Sequence, residues 1–215
     1  MKFLWILLLF SYVEAKEQLT PSPDQALDML LEGNAHFVKG EITHCSYITE
    51  AKDALLENQT PFAAIVGCSD SRVPPELIFD RGLGELFVVR DAGNVIGPIE
   101  MDSVEFAVAK LKVPLVVVIG HQNCSAVKAA LLGKDHVPEL DQILPLIEAA
   151  LKPCKMHTGD KLVRAVECNV RKGVETLKAS PTIAPFLAKK TVKIVGAYFD
   201  ISSGKVSLLD LGQGN

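Results

Sequence analysis

The chain has 215 residues, of which 48% are apolar and 22% are charged, so it can bury one core of α/β size. Its formal net charge of −4 gives no basic field for a polyanion, and the Lys and Arg residues are scattered. These features exclude nucleic acid as an expected partner. No repeat and no Ser-, Gly- or charge-rich linker divides the chain, so we expect one domain with one active site.

The first fifteen residues have the pattern of a secretory leader. Lys2 precedes an apolar run from Phe3 to Phe10, and Val13-Glu14-Ala15 offers modest side chains where a signal peptidase cuts. A membrane anchor is the alternative, but the run is about half of the roughly 20 apolar residues that a spanning helix requires. We therefore expect residues 1–15 to be a signal peptide and residues 16–215 to be the folded domain. The protein should be periplasmic or secreted, without membrane contact after cleavage.

A helix is predicted to begin after Ser22, which has the form of an N-cap. Pro23 stands at the first helical position, and Gln25 can complete a capping box. The apolar residues that follow, as far as Phe37, have helical spacing. The apolar face of this N-terminal helical arm packs into the core, serves as a partner surface, or does both if the protein is a dimer.

Three short apolar runs predict strands that are buried on both faces of a sheet. They are Phe62–Gly67, Glu85–Arg90 and Pro114–Gly120. Helices are predicted around Ser103–Leu111, Ser125–Leu132, Val137–Leu151 and Lys161–Lys178. A strand over Thr191–Ile201 and a return over Val206–Leu211 end the chain. Strands that alternate with helices predict an α/β fold, with a mostly parallel β-sheet flanked by helices.

Two metal-binding residue types fall at the ends of predicted strands. Cys68 follows the first run and His121 follows the third, and ligand sites lie just beyond the carboxyl ends of parallel strands. Cys124 comes three residues after His121, within reach of the same ion. A lone cysteine is more often a small buried apolar residue. Two Cys and one His together leave a tetrahedral zinc an open fourth position, so we predict a catalytic site with one Zn²⁺ per chain.

The segment after Cys68 adds a carboxylate and a guanidinium to this site. Asp70 could bind the metal itself or accept a hydrogen bond from its water. Arg72 can hold a carboxylate through two hydrogen bonds. By keeping Asp70 off the metal, Arg72 would leave it to accept a hydrogen bond from the metal-bound water. An Asp-x-Arg pair is usually a surface ion pair, but beside a strand-exit cysteine it indicates a site.

Taken together, these motifs resemble the β-class carbonic anhydrases, in particular their plant-like subclass. Three segments carry the resemblance, which extends from about Ser22 to the final hairpin: Cys68–Pro74, Gly84–Asn94 and Gly120–Cys124. It implies the β-carbonic anhydrase fold and a homodimer or higher homo-oligomer. It also implies zinc on the two Cys and one His, with Asp70 and Arg72 as the catalytic dyad and Asp70 as a possible fourth ligand in a closed state.

The resemblance further implies three residues on the substrate side of the pocket. Gln59 matches a substrate-side amide of the plant-like subclass, and Phe87 matches an apolar wall residue. Phe106 stands where many members have Tyr. Two other departures, Asp91 in place of Asn and Ser125 in place of Gly, bear on substrate contacts more than on the chemistry.

The regulation implied for this chain follows from its tryptophan content. One branch of the family is inhibited by bicarbonate at a noncatalytic pocket that uses a Trp. The only Trp here is Trp5, which lies inside the predicted leader. We therefore expect no cooperative response to bicarbonate.

The activity implied is the reversible hydration of carbon dioxide to bicarbonate and a proton. Zinc would lower the pKa of a water molecule to give hydroxide, and Asp70 would orient that hydroxide. Two thiolates donate more charge than imidazoles do, so activity should rise toward alkaline pH. Candidates for a proton shuttle, none of which the sequence places near zinc, are His36, His44, His136 and His157.

Two alternatives remain open, and a third is disfavoured. The same zinc site could hydrolyse carbonyl sulfide or carbon disulfide. The chain could be a non-catalytic zinc-containing α/β binding domain, in which Asp70 would have to be the fourth ligand. A nucleotide-binding module is disfavoured, because Gly82-Leu83-Gly84 precedes a strand and does not follow one.

The other cysteines stay unassigned. Five are present, and an oxidising compartment favours pairing, so an odd count requires another role for some of them. Cys154 and Cys168 either pair after export or remain buried free thiols. Cys45 has no evident role.

Overall fold

A five-stranded sheet organises the structure, a computed structural model that describes residues 20–43, 55–56, 58–133, 138–154 and 159–211. The strands are β1 (Ala63–Cys68), β2 (Leu86–Asp91), β3 (Leu115–His121), β4 (Lys193–Asp200) and β5 (Lys205–Leu208). Their order is β2-β1-β3-β4-β5, with the first four parallel and β5 antiparallel to β4. The predicted α/β class with a mostly parallel sheet is confirmed.

Helices cover both faces of this sheet. They are α1 (Pro23–Lys39), α2 (Pro75–Ile78), α3 (Pro98–Ala109), α4 (Ser125–Leu132), α5 (Leu144–Leu151), α6 (Lys161–Lys178) and α7 (Ala184–Ala188). A 3₁₀ turn over Pro138–Leu140 precedes α5. Within the described ranges, none of the helices is long and apolar enough to span a bilayer. The predicted leader, Cys45 and three of the histidines (His44, His136 and His157) lie outside the described residues.

The N-terminal helix begins as predicted. The Ser22 hydroxyl accepts the N–H of Gln25, and the Gln25 side chain accepts the N–H of Ser22, which is a complete capping box. The apolar face of α1 lies in the core, where Leu27 and Leu30 are buried. Core packing of this face is therefore confirmed, and its role as a partner surface stays a prediction.

β1 and β3 are buried on both faces, as predicted, because successive side chains enter two different cores. β2, for which the same burial was predicted, is only partly buried because it forms an edge of the sheet. Ile65 and Val117 pack in one cluster with α1 and α4. Val66 and Val118 pack in a second cluster, against α3 and α6. Every residue of β1 and of β3 is buried, which explains the continuous apolar runs in the sequence.

Two helix boundaries differ from the prediction, and proline explains both. The predicted helix over Val137–Leu151 begins only at Leu144, where Pro145 occupies the first turn. The predicted helix over Ser103–Leu111 instead begins at Pro98 and ends at Ala109. Proline favours the first turn of a helix because it has no N–H to leave unpaired there, and apolar spacing alone does not report this preference.

Candidate metal centre and active site

The three predicted ligands converge at the carboxyl ends of two neighbouring strands. Cys68 is the last residue of β1, His121 is the last residue of β3, and these strands pair in parallel. Cys124 is the N-cap of α4. One ligand atom from each residue lies within 4.8 Å of the other two, and all three residues are buried. The sheet therefore assembles the cluster that the sequence predicts.

A tight turn brings Cys124 back toward His121. Asn123 has φ +56°, a left-handed conformation that Asn tolerates better than most residues. The N–H of Gln122 donates to Phe199 O at 2.9 Å, which ties the turn to the end of β4. These contacts allow His121 at the end of β3 and Cys124 at the start of α4 to bind the same ion.

The imidazole of His121 is arranged for ligation through one nitrogen. Its Nδ1 lies 2.9 Å from Gln122 O, a carbonyl that can only accept, so Nδ1 carries the proton. Nε2 is then a lone-pair acceptor, and it is buried without a hydrogen-bond partner among the described residues. A buried acceptor in this state is expected to have a partner, and a metal ion supplies one.

The two thiols create a charge conflict that a cation would remove. A hydrogen bond from the Cys124 thiol, together with one from the Gly93 N–H, lowers the pKa of Cys68 despite its burial. The pKa of the Cys124 thiol is raised, by its hydrogen bond to Cys68, by burial and by the Cys68 charge. A second thiolate therefore needs a neighbouring positive charge in order to form.

The donor set fits zinc. Tetrahedral zinc with Zn–S near 2.3 Å and Zn–N near 2.0 Å separates neighbouring ligand atoms by roughly 3.6–3.8 Å, compatible with the observed cluster. Two sulfurs and one nitrogen leave the fourth position open.

Asp70 and Arg72 form the two-pronged pair that the sequence predicts. Arg72 Nε donates to Asp70 Oδ1 at 2.9 Å, and Arg72 Nη2 donates to Oδ2 at 2.7 Å. The Arg72 N–H also donates to Oδ1 at 3.0 Å. These bonds hold the pKa of Asp70 well below its usual range. Asp70 Oδ2 lies 4.0 Å from His121 Nε2, so the ionised carboxylate borders the ligand cluster.

Arg90 has a positioning role that the sequence reasoning missed. Its Nε donates to Cys68 O at 2.8 Å and its Nη2 donates to Asp70 O at 2.7 Å. One guanidinium therefore fixes the backbone that joins the first ligand to the dyad. The feature of the sequence that could have indicated this role is an Arg near the end of β2, the strand that pairs with the one bearing Cys68.

Asp91 is a buried carboxyl group in register with Cys68 across β1 and β2. Its Oδ1 accepts the Val95 N–H at 2.9 Å, while Oδ2 is buried with no partner among the described residues. Burial is the main cause that raises the pKa of Asp91 to about 7. Because this chain has Asp91 where Asn is usual, it carries a titratable group next to the ligand Cys68.

One side of the cluster is apolar. A small cavity there is lined by Cys68, Val73, Pro75, Ile78, Phe79, Ile119, Gly120, His121 and Phe199. Such a lining keeps polar groups and water away from the ligands on that side. The polar approach to the cluster is therefore the one that Asp70 and Arg72 border.

The three residues predicted on the substrate side lie elsewhere in this chain. Phe87 pairs with Ala64, four residues before Cys68 on β1, which is about 13 Å along a strand. The Phe106 ring lies 6.3 Å from the Phe87 ring, and Gln59 is exposed before β1 begins. One chain does not bring them to the ligand cluster, and their substrate role stays a prediction.

Of the predicted shuttle histidines, His36 is described by the structure. Its Nδ1 lies 3.2 Å from Oδ2 of the buried Asp80, which joins α1 to the segment after α2. This contact gives His36 a structural partner.

Cys154 and Cys168 form a disulfide with Cα atoms 6.4 Å apart. The bond joins the segment after α5 to α6. The pairing that the sequence left open is therefore the one in the structure.

Comparison with known proteins gives a consistent result. The family model described as "Carbonic anhydrase" matches residues 63–206. The chain is 39% identical over 193 residues to a carbonic anhydrase of Mycolicibacterium smegmatis, covering 87% of this chain and 93% of the relative. It is 38% identical over 194 residues to carbonic anhydrase 2 of Mycobacterium tuberculosis, covering 88% and 94%. A structure reported for two tetrameric β-carbonic anhydrases of Sordaria macrospora matches with TM-score 0.68 and 27% identity, covering 86% and 96%.

Proposed function

The chain belongs to the β-carbonic anhydrase family, and on that premise we propose that it hydrates carbon dioxide reversibly to bicarbonate and a proton with one zinc ion per chain. Cys68, His121 and Cys124 would hold the ion. The observation that carries the proposal is their buried cluster, in which His121 Nε2 lacks a partner among the described residues. Bound zinc would supply a water that ionises near neutral pH, which bulk water does not do.

Asp70 would orient the nucleophilic oxygen. Because Arg72 keeps the pKa of Asp70 low, the carboxylate is ionised at neutral pH and can only accept a hydrogen bond. Accepting the O–H of the nucleophile would turn an oxygen lone pair toward the carbon of the substrate.

Arg72 would keep Asp70 in that role. Both carboxylate oxygens are engaged by the guanidinium, and Arg72 Nη2 also reaches Asn123 O at 3.4 Å. A closed state, with Asp70 as fourth zinc ligand, would require this two-pronged contact to break. We propose that the intact contact is the active arrangement.

The substrate side of the pocket would be completed by a second copy of the chain. Gln59, Phe87 and Phe106 can line it only from outside, since within one chain they lie far from the cluster. Support comes from β2, which forms one edge of the sheet, and from exposed apolar side chains next to it, Ile99 at 77% and Leu83 at 62%. The tetrameric relatives from Sordaria macrospora favour the same view. We propose a homodimer or a higher oligomer.

We also propose export and membership of the plant-like subclass. The leader pattern over residues 1–15 and the disulfide between Cys154 and Cys168 both suit an oxidising compartment. Gln59, and the absence of Trp after Trp5, support the subclass. A hydration rate that responds cooperatively to added bicarbonate in the leader-free protein would contradict membership of the plant-like subclass.

Metal analysis of the leader-free protein, combined with stopped-flow hydration of carbon dioxide, tests the proposal. About one zinc per chain together with hydration activity supports it. Zinc at that stoichiometry with hydrolysis of carbonyl sulfide and no hydration would assign the site to the sulfur substrate.

A further inference from the structure

A buried asparagine outside the ligand cluster is linked to it through one glycine. Asn169, on α6, is 4% exposed, and its Nδ2 donates to Gly93 O at 2.6 Å. The N–H of the same glycine donates to Cys68 Sγ at 3.2 Å. Asn169 and the Cys68 sulfur are thus the two partners of a single residue's backbone.

Gly93 needs an external restraint to keep this orientation. It has φ +95°, a conformation in which glycine is strongly favoured. A Cβ at this position would lie 2.9 Å from Ile147 Cδ1 and 3.1 Å from Ala126 Cβ, so a side chain here would be crowded as well as strained. Glycine has the freest backbone of all residues, and fixing its carbonyl limits where its N–H can point.

The element that bears Asn169 is well anchored. Its neighbours Val166 and Val170 are fully buried on α6, and adjacent Cys168 is bonded to Cys154. The amide of Asn169 is therefore held by a rigid helix.

The hydrogen bond from the Gly93 N–H to the Cys68 sulfur has a chemical consequence. A hydrogen bond to a thiolate sulfur draws negative charge from it and so limits the charge that the sulfur donates to a metal. Two thiolate ligands donate more charge than imidazoles, so such a bond counteracts the loss of zinc acidity.

We propose that Asn169 is a positioning residue which, by holding the Gly93 carbonyl, aims the Gly93 N–H at the Cys68 thiolate and sets its strength as a metal ligand. The inference rests on the proposed function in one respect, that Cys68 binds a metal ion. It adds a residue that lies 101 positions from that ligand in the sequence.

Cobalt in place of zinc provides a readout other than activity. Thiolate-to-cobalt charge transfer in the near ultraviolet reports the charge on the sulfurs, and competition with a chelator reports affinity. The test variant is Asn169→Leu, which keeps the number and branching of the side-chain heavy atoms and removes the donor. Asn34→Leu is the matched control, because Asn34 is 5% exposed and also donates to backbone carbonyls, Ile78 O and Gly204 O, and neither of these residues donates a hydrogen bond to a ligand sulfur.

We expect Asn169→Leu to shift the charge-transfer band to lower energy, because a Cys68 sulfur without the aimed N–H keeps more negative charge. The variant should also bind cobalt roughly tenfold or more weakly than wild type, because the sulfur is no longer held in one orientation by an outer hydrogen bond. Asn34→Leu should retain the wild-type band. A wild-type band and affinity in Asn169→Leu, or equal changes in both variants, would overturn the inference.

A wild-type protein that shows no thiolate-to-cobalt band would instead contradict the metal site itself, so the two failures are distinguishable. If Asn169→Leu does not fold, the wild type loaded with ¹¹³Cd decides. A scalar coupling between the metal and the Gly93 amide proton supports the inference, and its absence in a spectrum that resolves this proton overturns it.

Discussion

Replacement of Asp91 by Asn should stabilise the protein in a pH-dependent manner. Burial raises the pKa of Asp91 from 3.8 to about 7 in the folded protein. The folded state therefore keeps a proton that the unfolded chain releases between these values. The stability associated with this group is complete below pH 3.8 and is lost as pH rises toward 7.

The magnitude follows from the size of the shift. A rise of about 3 pKa units corresponds to at most about 4 kcal/mol of free energy of unfolding at pH 8. At about pH 5.5 roughly half of that loss has occurred. In the Asp91→Asn variant the amide oxygen would still accept the Val95 N–H, and the amide nitrogen would face the buried space that Oδ2 occupies. The cost of burying that nitrogen does not depend on pH.

The change in stability between two pH values therefore isolates the titration. We expect the gain from Asp91→Asn to be about 2 kcal/mol larger at about pH 8 than at about pH 5.5. Urea unfolding at one protein concentration, with zinc saturating both proteins, measures it. Asp102→Asn is the control, because Asp102 is an exposed aspartate on α3. An equal gain at both pH values, or an equally pH-dependent gain in the control, would refute the reasoning.

Three other outcomes are expected. Ala at Cys68, His121 or Cys124 should remove zinc and activity together, because each is one of three ligands, and full zinc content by metal analysis would exclude that residue. Asp70→Asn should keep zinc but lower turnover by roughly 10²-fold in stopped-flow assays, whereas Arg72→Ala should let Asp70 approach the metal. Unchanged turnover in both would contradict the dyad. Ser at both Cys154 and Cys168 should lower the free energy of unfolding by up to about 3 kcal/mol, given the short loop, and no loss would oppose a structural role.

The ligand cluster was predictable because its signals are local. Continuous apolar runs indicate buried parallel strands, and Cys68 and His121 fall at the carboxyl ends of two of them. The carboxyl ends of parallel strands lie along the same edge of the sheet, where ligand sites form. The Asp70 and Arg72 contact spans two residues, so the sequence alone brings them together. The start of α1 was equally local, since its capping box lies within Ser22–Gln25.

Longer-range contacts were not predictable in this way. Asn169 and Gly93 are 76 residues apart, and no local pattern connects a helix residue to a strand-exit turn. The burial of Asp91 depends on the packing of the whole site. Gln59 and Phe87 lie away from the cluster within one chain, and in the proposed oligomer a second chain, which one sequence does not place, would bring them to the pocket.

Zinc removal and restoration tests the central claim most directly. Stopped-flow hydration of carbon dioxide would be measured on the leader-free protein as isolated, after chelation, and during stepwise return of zinc. We predict activity that disappears on chelation and returns in proportion to zinc, reaching its maximum at about one ion per chain. Hydration that persists after complete zinc removal, or that stays absent with the site filled, would contradict the account.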